Sequence, residues 1–592
     1  MRRLALHALN RGIAQGEAHH AFFALRGFDP VLRLLARRRM RRALDGARML
    51  TNVQDPVHQL RLAWLSVAGV ALQSDFDDVS AVAAEQAAAA QAVRAPRRGP
   101  WLTLGALAMV VVTVVGGLGT WWLTRPFDPR VTPAGRVFAK AVPELIVALS
   151  RDDRAGVDAA RQRALEGLGG DVTPSLDATL NAAIALKAGG LANRKPRDDF
   201  EAATANLNRA LEKAKQPYFV DADFLGNAAG VTPLLLGFYV QRDSQVQGAG
   251  GTERVVHLWR LDDINLNQGY YGYTRPSTPA AIVLLDQIES DLVRDVLPAL
   301  PAGERMRLAD EETEIEGEPW VQSIGERGAK LVRSYFDRVP EGRDPNVRRV
   351  AELLARRRAL IVGWKKDLAG LGHVLVVPER LIPEADYAEA LSLRVPRAGL
   401  HEWNALHDEL LEKDKLAAFE RLRNHYVASV ERHEVQHRLD YRRGLIPVPP
   451  LLSELLGLEN PLDAAYGSRA ARARDEMSAF LASIIDSGPS PELELALMAR
   501  HAFARHGLGN AYSYAVLAAF MGIARELKID DAAILGGRVI RRERVAALFL
   551  AITDRPAADI RNAARRFYAA SYGQPLPSVK TVSTVTHTPW RH

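Results

Sequence analysis

The sequence predicts a mainly α chain with α+β parts. In order it reads as an N-terminal helical segment, a single transmembrane helix, a helical spacer, an α+β region and a mostly helical C-terminal domain. Three observations carry this reading. At 592 residues the chain exceeds what one hydrophobic core supports. One run, from Trp101 through Leu123, is free of charge. Ala/Leu-rich segments with helical spacing dominate both sides of a shorter stretch rich in β-branched and aromatic residues.

Residues 1–100 hold short helical segments, among them VLRLLARRRMRRAL and HQLRLAWLSVAGVAL. They also hold the whole charge excess: the chain carries a net +7, and beyond residue 100 acids and bases balance. The basic body of a nucleic-acid-binding protein is therefore not expected. This block reads as a small cytoplasmic helical domain or dock for a protein partner, with a basic amphipathic segment lying on anionic lipid as the alternative.

Residues 101–123, WLTLGALAMVVVTVVGGLGTWWL, are long enough to cross a bilayer, which takes roughly 20 apolar residues. Trp101, Trp121 and Trp122 sit where interfacial aromatics belong. The basic block before the span orients the N-terminus to the cytoplasm and the remainder to the periplasm or cell exterior, on a single-pass inner-membrane anchor.

Residues 124–225 contain AVPELIVALS, AARQRALEGLGG, LDATLNAAIALKAGG and FEAATANLNRALEKA, punctuated by Gly, Pro and Asp, and read as a helical domain. Residues 226–345 read as an α+β domain, with strands expected at LLLGFYVQRD, RVVHLWRLDDINL and AAIVLLDQI. The loop GYYGYTRPSTP at 269–279 is either an ordinary packed loop or part of a ligand pocket. Residues 346–577 form the C-terminal domain, with LIVGW and HVLVVPERL as short strands among helices. Residues 578–592 read as a flexible tail.

The absence of cysteine excludes disulfides, thiolate metal sites and a cysteine nucleophile. Chemistry concentrates instead in VASVERHEVQHRLDYRRG, where His433, Glu434 and His437 spell H-E-x-x-H. Five residues can recur by chance, so the context decides. Residues 403–443 contain no Pro or Gly and read as helix, with Gly444 as its stop. Phe419, Leu422, Tyr426, Val430, His433, His437 and Tyr441 follow helical steps of three and four, one apolar stripe. Two imidazoles on a buried stripe are costly without partners, and a shared metal removes that cost.

A catalytic zinc needs a third protein ligand and one open position. Glu476 is the best candidate, because Ala479, Phe480 and Ile484 follow it on the same face of the helical run 466–486. Asp475 points about 100° away.

A helix bearing H-E-x-x-H followed by a helix bearing Glu in the context DEMSAFLASI resembles the gluzincin zinc metallopeptidases. The resemblance covers about residues 403–486. It implies a zincin-like catalytic domain, Zn2+ held by His433, His437 and Glu476, and Glu434 as general base. Phe480 stands where several of these families carry Asp. Asp440 matches an acidic position of some members, where it would orient a ligand's outer ring nitrogen or pair with a nearby Arg. Tyr512, Tyr514, His501 and His506 are candidates for steadying an oxyanion, and HVLVVPERL at 373–381 for an edge strand that grips a peptide.

The expected function is membrane-anchored, zinc-dependent peptide hydrolysis. The alternatives are a non-enzymatic anchored scaffold with a structural or vestigial metal site, and a zinc hydrolase of a non-peptide amide or ester.

Overall fold

The computed structural model describes residues 127–590 except 191–193, 263–270, 300–339, 370–379, 383–394, 459–467, 499–510 and some shorter runs. The expected docking segment 1–100 and membrane span 101–123 lie outside the described residues. Among the described residues no helix is long and apolar enough to cross a membrane. What is described is mostly helical with an α+β part.

Helices α1 (Val142–Ser150), α2 (Arg154–Gly167), α3 (Thr173–Gly189) and α4 (Arg194–Lys213) come first. Asp153 caps α2, its carboxylate accepting from the Gly156 amide. The strands follow: β1 (Tyr218–Asn227), β2 (Gly230–Gly248), β3 (Gly251–Arg260), β4 (Gly272–Tyr273) and β5 (Ala281–Leu284). Their order in the sheet is β1-β2-β3-β5-β4. β1, β2 and β3 run antiparallel, β3 pairs β5 in parallel, and β4 returns antiparallel to β5.

Alternation along the strands feeds two cores. Val220, Val255, Ala281 and Val283 face the large helical core, while Phe219, Val256, Ile282 and Leu284 belong to a second cluster. The helical layer and the sheet share the first of these, because α1 and α3 pack on β2.

The expected boundary at 225/226 falls inside β1, a strand absent from the sequence reading. Only Gln216 and Pro217 separate its alternating YFVDADF from the turn that ends α4. The Asn208 side chain on α4 stands in for a neighbouring strand: its Nδ2 donates to the Val220 carbonyl at 2.8 Å, and its Oδ1 accepts from the Val220 amide at 2.8 Å.

Three further expectations are corrected. LIVGW is helical, inside α6 (Pro345–Ala369), which follows the short α5 (Leu285–Asp291). Val347, Val350, Leu354, Ile361 and Trp364 are buried at helical spacing. The long helix expected from 403 is two helices, α7 (Arg397–Leu410) and α8 (Lys413–Arg442), with Glu412 in an extended conformation between them. The two stripes serve different neighbours: Trp403 of α7 packs at a tilt against Trp364 of α6, while α8 packs on the sheet and on later helices.

The third correction concerns the expected tail 578–592, of which the described residues, 578–590, are not loose. Lys580–Thr586 forms β6, antiparallel to Arg242–Gln247 of β2. KTVSTVT is rich in Val and Thr, which suit a pleated ladder. Trp590 is buried, with Arg130 and Arg380 stacked on its ring.

The remaining helices are α9 (Pro450–Leu456), α10 (Arg469–Asp486), α11 (Ala511–Glu526), α12 (Arg542–Thr553) and α13 (Ala557–Tyr572). α8 packs against α10, and α10 against α11 and α13. α8 ends where the sequence anticipates: Gly444 has φ of 76°, a left-handed conformation that glycine adopts without penalty.

Candidate metal centre

α8 presents the stripe read from the sequence. Phe419, Leu422, Tyr426, Val430 and His437 are all buried, and His433 is largely so. Both faces of the helix are clamped. Toward the sheet, Glu431 accepts from His257 Nε2 at 2.9 Å and also meets Arg242. Arg438 and Arg442 grip the buried Glu253 of β3 at 3.0 and 2.5 Å. Toward the later helices, Gln436 Nε2 donates to Asp440, Ser478 and Tyr568 at 2.9, 3.2 and 3.1 Å. Ser483 of α10 donates to the Ser429 carbonyl of α8 at 3.1 Å.

This clamp sets the spacing of the site. His433 and His437 project from α8 with their Nε2 atoms 3.1 Å apart. Glu476 meets them from α10, with its Oε2 3.2 Å from His433 Nε2 and its Oε1 3.8 Å from His437 Nε2. The three side chains form a metal-compatible group, with one donor atom of each within 4.8 Å of the others. Metal bonds of about 2.0–2.2 Å at tetrahedral angles place neighbouring donors about 3.3–3.5 Å apart, close to the His433–His437 and His433–Glu476 Oε2 separations.

The electrostatics suit the same purpose. Burial lowers the His433 imidazole to about 3, helped by Arg432. Burial lowers His437 to about 4, opposed by Glu476. Both rings are then neutral at ordinary pH, the form that donates a lone pair to a metal. Burial raises Glu476 to about 7, opposed by His437. Glu476 Oε2 is buried without a hydrogen bond, although His433 Nε2 is close by. Leaving a buried carboxylate oxygen unpaired costs free energy that a cation among the three would offset. The residues fit a zinc ion.

Glu434 lines the same cavity, on the side of β4. Thr274 Oγ1 donates to its Oε2 at 2.9 Å. Burial, and then the Glu476 carboxylate, raise its carboxyl well above the usual range. Gly272 of β4 lies directly against it: a Cβ there would stand 2.7 Å from Glu434 Cγ and 2.9 Å from Oε1. β4 is the terminal strand of the sheet order. It comes from the GYYGYTRPSTP loop, so Gly272 and Thr274 are site residues that sequence reasoning did not assign. Their signal was the loop's Tyr and Gly content.

Of the other sequence candidates, Tyr512 lines the same cavity as the ligands and is 41% exposed. Tyr514 does not line it and packs partly against the core. Asp440 lies behind the site, ion-paired with Arg443 at 3.0 Å and bonded to Gln436, so it orients no ring nitrogen of the ligands. Asp475 lines the cavity but pairs with Arg474 at 2.8 Å. His501 and His506 lie outside the described residues, as do 373–379 of the expected edge strand. Arg380 and Leu381, its last two residues, form a bend whose carbonyls accept from Arg357.

The cavity has a volume of about 490 Å³ and follows α8 from Tyr426 to Tyr441. The fifteen helical steps between them span about 22 Å, so the ligand pair sits mid-cleft with space on both sides.

No family model, curated protein or solved structure matches the chain. What the site does is therefore argued from its own geometry.

The loop that supports β4 yields a pH prediction. Arg275 reaches Asp221 at 3.8 Å and Asp223 at 3.6 Å on β1. Burial lifts the Asp221 carboxyl to about 6, against the pull of Arg275 and the Tyr273 hydroxyl. An acid with a raised folded pKa contributes its stability below its unfolded value and loses it as pH rises through the folded one. Melting temperature should therefore fall between about pH 4 and pH 6 from this group. Asp221→Asn should flatten that fall and add up to about 2–3 kcal/mol at neutral pH, measurable as a shift in urea midpoint at two pH values.

Proposed function

We propose that the chain is a zinc-dependent metallopeptidase, tethered to a membrane by residues 101–123. The observation that carries the reading is the convergence of His433, His437 and Glu476 on one point in a cleft, with Glu434 beside it. Three protein donors with an accessible cavity on the remaining side suit a catalytic site, whereas a structural zinc is closed by four protein ligands.

A zinc ion held there would acidify a water and polarise a scissile carbonyl. The chain's own residues supply the rest. Glu434 accepts the water's proton on its carboxylate and passes it to the leaving amine. Thr274 fixes that carboxylate by its Oε2, so the proton is handled at Oε1, on the side of Gly272. β4 offers the main-chain groups of a terminal strand next to Glu434, where an extended peptide can add as a further strand. This favours a peptide over a small ester or amide, because strand addition reads a repeated backbone. Tyr512 is one of the tyrosines that line the cavity wall, a candidate donor to an oxyanion.

Gly272→Ala tests the placement of the base. The added Cβ would also lie 2.6 Å from the Ile282 carbonyl, a backbone atom of β5, so either Glu434 or β4 must move. A displacement of about 1 Å at a reacting group costs about 10²-fold, and kcat/KM should fall by that order with zinc content unchanged. The overall reading is tested with a mixture of unstructured peptides. Hydrolysis that needs zinc and is lost on chelation supports it; zinc bound stoichiometrically without cleavage of any peptide defeats it.

A further inference from the structure

The cleft has a direction, set by two elements that run side by side. β4 tracks α8 in the same sense: the ring of Tyr271, just before β4, packs on that of Tyr426 with centroids 5.4 Å apart. One residue on, Gly272 lies against Glu434. Past it, Thr274 Oγ1 donates to Glu434 Oε2, and the Thr274 carbonyl accepts from the Tyr441 hydroxyl at 3.1 Å. Residues 271–274 all line the cavity, as do Tyr426 and Tyr441. A peptide that adds to β4 therefore lies along α8, and its path crosses the metal ligands between those two tyrosines.

The ligands stand at neither end of that path. From His433 back to Tyr426 is about 10 Å of helix, and from His437 on to Tyr441 is about 6 Å. An extended chain advances about 3.3 Å per residue. The lined cleft therefore takes about three residues on one side of the scissile bond and about two on the other.

An enzyme that removes terminal residues needs a fixed charge that reads the chain end, a carboxylate for an ammonium or a cation for a carboxylate. Besides Glu434 and Glu476, the acidic and basic residues of the cleft wall are Arg472, Asp475 and Glu494 among the described residues. Asp475 is paired with Arg474 at 2.8 Å. Glu494 is buried, accepts from Ser429 and lies 3.7 Å from His425 Nε2. Both acids thus serve the protein's own network. Arg472 is exposed, and water screens its pull on a carboxylate.

The geometry points to an endopeptidase: the cleft takes internal bonds of an extended chain, with about five residues held between Tyr426 and Tyr441 and neither chain end recognised. The C–N bond breaks, the water's hydroxyl joins the acyl carbon, and Glu434 returns the water's proton to the new amine. Both products of such a cut are peptides. The inference rests on the peptidase reading. It adds the substrate class, an unstructured segment of polypeptide in place of a dipeptide or a chain terminus, which neither the H-E-x-x-H helix nor Glu476 determines.

The test uses the full-length, zinc-loaded protein and peptides of several unrelated sequences, each in lengths from about two to ten residues. Every peptide is made with free ends and again with an acetylated N-terminus and an amidated C-terminus, and mass spectrometry reads which bond is cut. Cleavage should fall at internal bonds, and blocking both ends should leave kcat/KM within about threefold. Up to about five residues, each added residue should raise kcat/KM about two- to tenfold, the worth of one net hydrogen bond, and beyond that length the gain should stop. Three results overturn the assignment while the peptidase reading stands: release of terminal residues only, loss of cleavage when one end is blocked, or a gain that stops at a dipeptide. If no peptide of either form is cut at any length, the peptidase reading falls and this inference falls with it.

Discussion

Glu434→Gln is expected to lower peptide hydrolysis by about 10²–10⁴-fold, the range that a positioned general base contributes, while zinc stays bound. The structure separates the two roles. Glu434 bonds to Thr274 and lies against Gly272, and is not one of the three metal-compatible donors. Its removal should also leave folding intact or improve it. Burial and the Glu476 carboxylate disfavour its charged form, and Gln keeps the shape and the Thr274 contact without the charge. Activity and stability are thus expected to move in opposite directions. A variant that loses activity because it unfolds would move both downward, so a thermal melt beside the rate measurement distinguishes them.

Removing the metal should act on stability as strongly as on rate. His433, His437 and Glu476 are brought together with an unbonded carboxylate oxygen and an unbonded His437 Nδ1, both buried. A ligand that binds only the folded state adds about 4 kcal/mol at a thousandfold excess over Kd. For a unit of this size, whose helices and sheet share one core, that corresponds to roughly 4 °C in melting temperature. Chelation should lower the melt by that order, and readdition of zinc should restore it. His437→Ala or Glu476→Ala should abolish the difference between the chelated and zinc-loaded melts. An outer partner of a metal ligand is worth about 10- to 100-fold in affinity, and a direct ligand should be worth more.

The site was legible in the sequence where it depends on local periodicity. The α8 stripe can be read from steps of three and four, and so can the position of Glu476 at the head of the apolar face of α10. The structure brings these residues to one place through packing that no short window contains. Ser483 reaches the Ser429 carbonyl, and Gln436 reaches Ser478 and Tyr568 across three helices. Gly272 and Thr274 were not legible as site residues, because they meet Glu434 only through the pairing of β4 with β5.

For the fold, strands bounded by turn residues could be read, and β2, β3 and β5 fall where they were expected. β1 and β6 were not found. β1 begins almost directly after a helix, and Asn208 supplies part of its edge pairing. β6 exists because Arg242–Gln247 of β2 offers it a ladder, and nothing local in KTVSTVT announces a partner more than three hundred residues earlier. LIVGW shows the opposite error. Its apolar run suits a strand, but the wider window from Val347 to Trp364 has helical spacing, and the longer pattern prevails.

The central claim is that one zinc ion binds between α8 and α10. Anomalous diffraction at the zinc edge, from crystals of protein purified with zinc and without added chelator, tests it most directly. The account predicts a single strong peak within about 2.0–2.2 Å of His433 Nε2, His437 Nε2 and a Glu476 carboxylate oxygen, with no fourth protein ligand. A peak elsewhere, a fourth protein donor closing the sphere, or no peak with the three side chains hydrogen-bonded to one another would contradict it.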